Sequence, residues 1–249
     1  MTGTGTARIA VVTAGLGTPS SSRMLADLLS AEAARQLTDT GTAGGRALEV
    51  ETFELRDFAV DIANAMVSGF APPRLEEAIQ SVVRADALIA VTPVFTASMS
   101  GLFKSFFDVL DNTALQGKPV LIGATGGSAR HSMVLDFALR PMFGYLRARL
   151  MPTAVFAAPE DWAGGSGADG STALDDRVRR AAGELAAELS AARGGQPAAG
   201  QSEAGQEGPK AEAADQGGEA GPRPAVSLNP GTDPWQSLPF EQLLARTRR

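Results

Sequence analysis

Arg8-Ile9-Ala10-Val11-Val12-Thr13, followed by Ala14-Gly15-Leu16-Gly17-Thr18-Pro19, is the stretch on which the fold turns. The first run is short, apolar and rich in β-branched residues, as in a strand buried on both faces. The Gly- and Pro-containing break after it describes a tight loop. Ser20, Ser21 and Ser22 then offer helix caps, and Met24, Leu25, Leu28, Leu29 and Ala33 recur at helical spacing to about Leu37. Strand, loop and helix in that order open a parallel α/β sheet.

The alternation continues outward. Leu48 to Leu55 reads as a second, less buried strand, whereas residues 56–71 give no clear assignment. Pro72 and Pro73 open a helix through Ala85, with Leu75, Ile79, Val82 and Val83 on its apolar stripe. A third strand is expected at Ala87–Val91, a helix at about Ser100–Leu110, a fourth strand at Pro119–Ala124, a helix at roughly Ser132–Arg149, a fifth strand at Thr153–Ala157 and a helix at Asp175–Ala192. Nearly continuous apolar strands alternating with helices predict an α/β, flavodoxin-like fold: a five-stranded parallel sheet in the order 2-1-3-4-5 with helices on both faces.

The folded domain is expected over residues 1–193. Residues 194–234 are mostly Gly, Ala, Pro, Gln and Glu, with too little apolar surface to offset the entropy of ordering, and read as a flexible low-complexity linker. Residues 235–249 carry Trp235, Leu238, Phe240, Leu243 and Leu244, a candidate docking face. The chain of 249 residues has no Cys and one His, which excludes thiol nucleophiles, disulfides, thiolate metal sites and imidazole clusters. A net charge of −6 argues against nucleic-acid binding. With no targeting segment or membrane-length apolar run in view, a soluble cytoplasmic protein is expected.

In an open parallel sheet, ligands bind beyond the carboxyl ends of the strands. The loop Thr13–Ser22 meets a helix start there, where N–H groups and the hydroxyls of Ser20, Ser21 and Ser22 suit an anion; helix capping alone is the competing account. No Lys-Ser or Lys-Thr follows Gly15 at the Walker spacing, and Gly15-Leu16-Gly17 meets only half of the Rossmann fingerprint because Ser20 stands where its third small residue belongs. The other two loops are Thr92–Gly101 and Thr125–Ser128. Pro93, Val94 and Phe95 offer an apolar shelf, and Gly126 and Gly127 permit close backbone approach, which suits a flat ring with one polar and one apolar edge, such as a flavin.

Thr92-Pro93-Val94-Phe95, Ser98-Met99-Ser100-Gly101 with Lys104 and Asp108, and Ala124-Thr125-Gly126-Gly127 with His131 together resemble, in order and spacing, the NADPH-dependent FMN reductases. Within these, the chain is most similar to the two-component group that hands reduced FMN to luciferase-like or alkanesulfonate monooxygenases. The resemblance covers about residues 7–162 and, more faintly, Pro239–Leu244. It implies an NAD(P)H:FMN oxidoreductase with FMN and NADPH or NADH as cofactors, a flavin-dependent monooxygenase as partner, and a homodimer or homotetramer. It also implies that Ser20, Ser21 and Ser22 hold the FMN phosphate, and that Pro93, Val94, Phe95, Thr96, Ala97, Thr125, Gly126 and Gly127 hold the ring. The family often has Arg near the first loop; Arg23 stands one step later, so phosphate binding here leans on neutral donors. Many relatives place Asn where Thr96 stands.

Direct hydride transfer needs two stacked rings and no general base, so no catalytic residue and no metal are expected, and His131 reads as a cap or packing residue. Lys104 and Asp108 read as an i,i+4 ion pair. Two other readings stay open: a reductase of quinones or azo compounds that keeps its flavin, and a flavodoxin-type electron carrier. Low aromatic content weighs against the carrier, with Trp162 its one candidate for stacking near the last loop. Which nicotinamide is preferred depends on where Arg130, Arg140 and Arg147 point.

Overall fold

The computed structural model describes residues 7–39, 48–162 and 173–194. The linker and C-terminal segment read from the sequence lie outside the described residues, apart from Gly194 at a helix end. In chain order the elements are β1 (Ala7–Thr13), α1 (Ser21–Asp39), β2 (Leu48–Glu54), a 3-10 turn (Leu55–Phe58), α2 (Ala59–Ser68), α3 (Pro73–Arg84), β3 (Ala87–Phe95), β4 (Ser98–Met99) and α4 (Gly101–Asp108). There follow β5 (Pro119–Thr125), a 3-10 turn (Ala129–Met133), a π turn (Leu135–Leu139), α5 (Arg140–Tyr145), β6 (Arg149–Leu150), β7 (Val155–Ala157), α6 (Pro159–Trp162) and α7 (Ala173–Gly194).

The sheet runs β2-β1-β3-β5, with β6 and β7 sharing the fifth position, and all of these pairings are parallel. This is the flavodoxin-like order expected from the sequence, with the crossover from β1 to β3 leaving a crevice at the carboxyl ends. Side chains alternate to two cores. Ala10, Val12, Leu88, Ala90, Val120 and Ile122 face α2, α3, α4 and α5, where Phe103, Phe106, Phe107 and Phe143 interlock with ring centroids 4.8–6.3 Å apart. Ile9, Val11, Ile89, Val91 and Leu121 face α1 and α7. Period-two burial on both faces explains why these strands read as unbroken apolar runs.

Three expectations need correction. The loop expected at Thr92–Gly101 is largely a hairpin: β3 continues to Phe95 and pairs antiparallel with β4, Val94 opposite Met99 and Phe95 opposite Ser98. The fifth strand is split. Pro119 and Val120 face Arg149 and Leu150, and Gly123 to Thr125 face Val155 to Ala157, so Leu121 and Ile122 span the same length as Met151 to Ala154. Pro152, which has no N–H to donate, sits in this bulge. The Arg140 guanidinium donates to the carbonyls of Met151 (3.4 Å) and Pro152 (2.7 Å), and the Glu184 carboxylate accepts from the amide (2.7 Å) and hydroxyl (2.5 Å) of Thr153. The helix expected over Ser132–Arg149 is broken into a 3-10 turn, a π turn and α5, and ends at Tyr145. Pro141 lacks the N–H that would bond the Phe137 carbonyl, and the helix widens in the turn before it.

Residues 56–71, unassigned from the sequence, form most of the first 3-10 turn and α2, which ends on Gly69 at φ 77°. No helix among the described residues is long and apolar enough to cross a membrane.

Candidate functional site

Three connections meet at the carboxyl ends of β1, β3 and β5: residues 14–20, the hairpin turn at 96–97, and residues 126–133. The first doubles back on itself. A Cβ on Gly15 would lie 1.8 Å from Ser20 Oγ and 3.3 Å from Ser22 Cβ, so only glycine lets the chain pass beneath the start of α1. The buried Ser20 hydroxyl accepts from the Arg23 N–H at 3.2 Å and caps α1. The buried Ser22 hydroxyl is 2.7 Å from the Thr125 hydroxyl, tying the first loop to the third. Ser21 is exposed at the first turn of α1, a helix of 19 residues. What these serines leave for an anion is therefore the backbone N–H groups of the first turn and the Ser21 hydroxyl.

Arg23 points away from the loop. Its guanidinium reaches Asp27 (2.8 Å) and Glu54 (2.7 Å), and the hydrogen bond to Asp27 and the charge of Glu54 hold it above its usual pKa. Arg56, in the segment the sequence left unassigned, turns toward the loop and donates to the Gly17 carbonyl (2.8 Å) and the Thr18 hydroxyl (2.9 Å). Sequence reasoning missed it because its role depends on β2 lying beside β1.

The hairpin presents Pro93 buried, Val94 half-buried and Phe95 45% exposed. Thr92 Oγ1 anchors it, donating to the Pro93 carbonyl (2.9 Å) and accepting from the Ser100 N–H (3.1 Å). Thr96 (φ 49°) and Ala97 (φ 63°) are both left-handed, the signature of a two-residue type I′ turn. Asn tolerates this region far better than Thr.

The third connection offers backbone. Gly127 faces open space, whereas a Cβ on Gly126 would lie 3.0 Å from the Phe156 ring and 3.1 Å from His131 Cβ. The exposed His131 thus lies close against Gly126. Trp162 packs against the core beneath α1 and α7, and Lys104 pairs with Asp108. Arg140 is committed to the β6–β7 bulge, and Arg147 (φ 55°) accepts through its carbonyl from Gly117 N–H near the start of β5, at the opposite end of the sheet. Arg130, exposed on the turn after Gly127, has no hydrogen-bond or ion-pair partner among the described residues. Nearby, burial works against the Asp161 carboxylate, but the Ala158 N–H (2.8 Å) and the Arg177 guanidinium (2.7 Å) outweigh it and hold its pKa below the usual range.

A tight turn beneath a helix start, an apolar hairpin and an open glycine backbone at the switch point of a 2-1-3 sheet give the layout of a mononucleotide-binding α/β protein. FMN fits these residues. The Thr13 hydroxyl, buried at the end of β1 with no partner among the described residues, adds an unsatisfied polar group at the first loop. The family model of NADPH-dependent FMN reductases matches residues 7–163, and the chain belongs to that family. It is accordingly an oxidoreductase working with FMN and NAD(P)H.

Relatives agree. The NADH-dependent FMN reductase SfnE of Pseudomonas putida is 34% identical over 174 residues, covering 70% of this chain and 88% of that protein. The FMN reductase (NADPH) of Pseudomonas aeruginosa is 33% identical over 155 residues, covering 62% of this chain and 78% of its own. A solved oxidoreductase from Corynebacterium diphtheriae shares 47% identity with a TM-score of 0.67, covering 74% of this chain and 97% of that one.

Proposed function

We propose that FMN is a releasable substrate of this enzyme, which reduces it with NAD(P)H and passes the dihydroflavin to a flavin-dependent monooxygenase. The observation that carries this is the engagement of Arg23 by Asp27 and Glu54, which leaves the FMN phosphate to neutral donors at the start of α1. Charge-assisted hydrogen bonds are roughly twice as strong as neutral ones, so a phosphate held by neutral donors leaves more readily. Trp162 is half-buried against the core under α1 and α7, and among the described residues Phe95 is the exposed aromatic of the hairpin, which offers the ring one aromatic face and not two.

In this reading Ser21, the N–H groups at Ser20–Ser22, the shelf Pro93–Ala97 and the segment Thr125–Gly127 hold FMN, with Ser22 and Thr125 supporting each other. FMN accepts hydride and the chain aligns the two rings, with no side chain acting as acid or base. A homodimer or homotetramer belongs to the same reading. It is supported by large apolar side chains left in water, among them Val67 (91% exposed), Phe70 (81%), Phe137 (75%) and Tyr145 (76%).

The test is NADPH and NADH oxidation by the purified protein under nitrogen, with and without added FMN, followed by ultrafiltration. Turnover that scales with FMN and delivers reduced flavin to the filtrate supports the reading. Flavin that stays on the protein, with nicotinamide consumed only when a quinone or azo dye is added, overturns it.

A further inference from the structure

Four charges alternate from α1 to the first loop. Asp27 is bonded to Arg23 Nε (2.8 Å), Arg23 Nη1 to Glu54 Oε1 (2.7 Å), and Glu54 Oε2 to Arg56 Nη2 (2.6 Å). The last guanidinium then donates through Nη1 to the Gly17 carbonyl (2.8 Å) and the Thr18 hydroxyl (2.9 Å). Residues Leu16–Pro19 are all exposed, and among the described residues Arg56 supplies the only hydrogen bonds to them. The start of the loop is fixed by the fold of Gly15 under Ser20 and its end by the cap of α1. The four residues between are held from the side by one arginine.

Arg56 is itself well anchored. It follows β2 directly, in the 3-10 turn Leu55–Phe58 whose Leu55 is fully buried, and Glu54, 18% exposed, spans both guanidiniums with its two oxygens. A second carboxylate, Asp57, lies 3.9 Å from Arg56 Nε. The nearest positive charges are thus already balanced by acid. What Arg56 contributes is geometry: a charged fork fixing two acceptors of a loop whose remaining polar groups face solvent.

We propose that Arg56 is the positioning residue through which this chain distinguishes FMN from flavins lacking the 5′-phosphate. It acts by holding Gly17 and Thr18 so that the backbone N–H groups at the start of α1 stay open to a phosphate. The proposal rests on the reading of residues 14–22 as the FMN phosphate loop. Riboflavin carries the same ring and makes no demand on that loop, so Arg56 sets the ratio of the two affinities more than either ring contact. Losing the fork removes two charge-assisted hydrogen bonds from the loop, and a loss of about 1.4 kcal/mol in phosphate binding is tenfold in affinity.

The experiment is fluorescence titration of the full chain with FMN and with riboflavin, for the wild type, Arg56→Ala, Arg56→Lys and Thr18→Val, alongside a thermal melt of each. The wild type is expected to bind FMN more tightly than riboflavin. Arg56→Ala should weaken FMN about tenfold and bring the two dissociation constants together, with Arg56→Lys and Thr18→Val falling between. A parallel loss of both flavins, or an FMN-to-riboflavin ratio unchanged in every variant that keeps the wild-type melt, overturns the proposal. Should Arg56→Ala fail to fold, Arg56→Lys and Thr18→Val carry the same comparison. Failure of the wild type to turn over FMN would count against the proposed function, whereas an unmoved ratio in an active enzyme counts against Arg56 alone.

Discussion

The hairpin turn at Thr96-Ala97 carries strain that two substitutions should release. Both residues are left-handed, at φ 49° and 63°, between the paired positions Phe95 and Ser98. An L-residue in this region costs about 1–2 kcal/mol, and a β-branched one sits badly there. Asn-Gly is the pair that type I′ turns favour. Thr96→Asn should recover about 1 kcal/mol. Ala97→Gly recovers a similar amount but gives back about 0.5–1 kcal/mol through the extra freedom of glycine in the unfolded chain. The double variant should therefore be more stable by about 1–1.5 kcal/mol, which for a domain of this size raises Tm by about 2–6 °C. Thermal melts followed by circular dichroism, without flavin, measure this directly. A double variant no more stable than the wild type would falsify the assignment of strain to this turn. Strain of this kind persists where surrounding structure over-determines it and clusters at ligand sites. The same variant should accordingly shift the FMN dissociation constant, because the turn forms part of the proposed flavin shelf.

Other expectations follow from individual contacts. Ser22→Ala leaves the buried Thr125 hydroxyl unpaired and should cost about 1–3 kcal/mol in chemical denaturation, whereas Ser22→Ala combined with Thr125→Val should cost clearly less than the two single changes summed. If Arg130, exposed and without a partner among the described residues, meets the 2′-phosphate, Arg130→Ala should raise KM for NADPH about tenfold and leave KM for NADH nearly unmoved; equal change for both nicotinamides counts against that role. Glu32, bonded by Arg35 (2.8 and 2.7 Å) and Gln36 (2.7 Å), has its pKa lowered from 4.5 to about 2. A depressed carboxylate stabilises the fold above its unfolded pKa and loses that stability as pH falls through the folded value, so this contribution should fade between pH 4.5 and 2. Glu32→Gln should flatten Tm against pH in that window, and an identical slope in both proteins would contradict the linkage.

Much of this protein is legible in its sequence because the information is local. The apolar runs at residues 8–13, 87–91 and 119–124 name buried strands, Pro73 and Ser100 mark helix starts, and the order of strands and helices leaves a flavodoxin-like sheet as the natural topology. The three loops fall at the carboxyl ends from the order of elements alone, and the runs Thr92–Phe95, Ser98–Gly101 and Ala124–Gly127 carry the family resemblance. What the sequence could not supply depends on partners distant along the chain. Glu54 and Arg56 come into play only because β2 pairs with β1, Ser22 meets Thr125 across more than 100 residues, and Arg140 is withdrawn from the nicotinamide question by the bulge at Pro152. Periodicity describes which face of an element is buried; which charged groups neutralise one another, and hence which remain for a ligand, is decided when the sheet assembles.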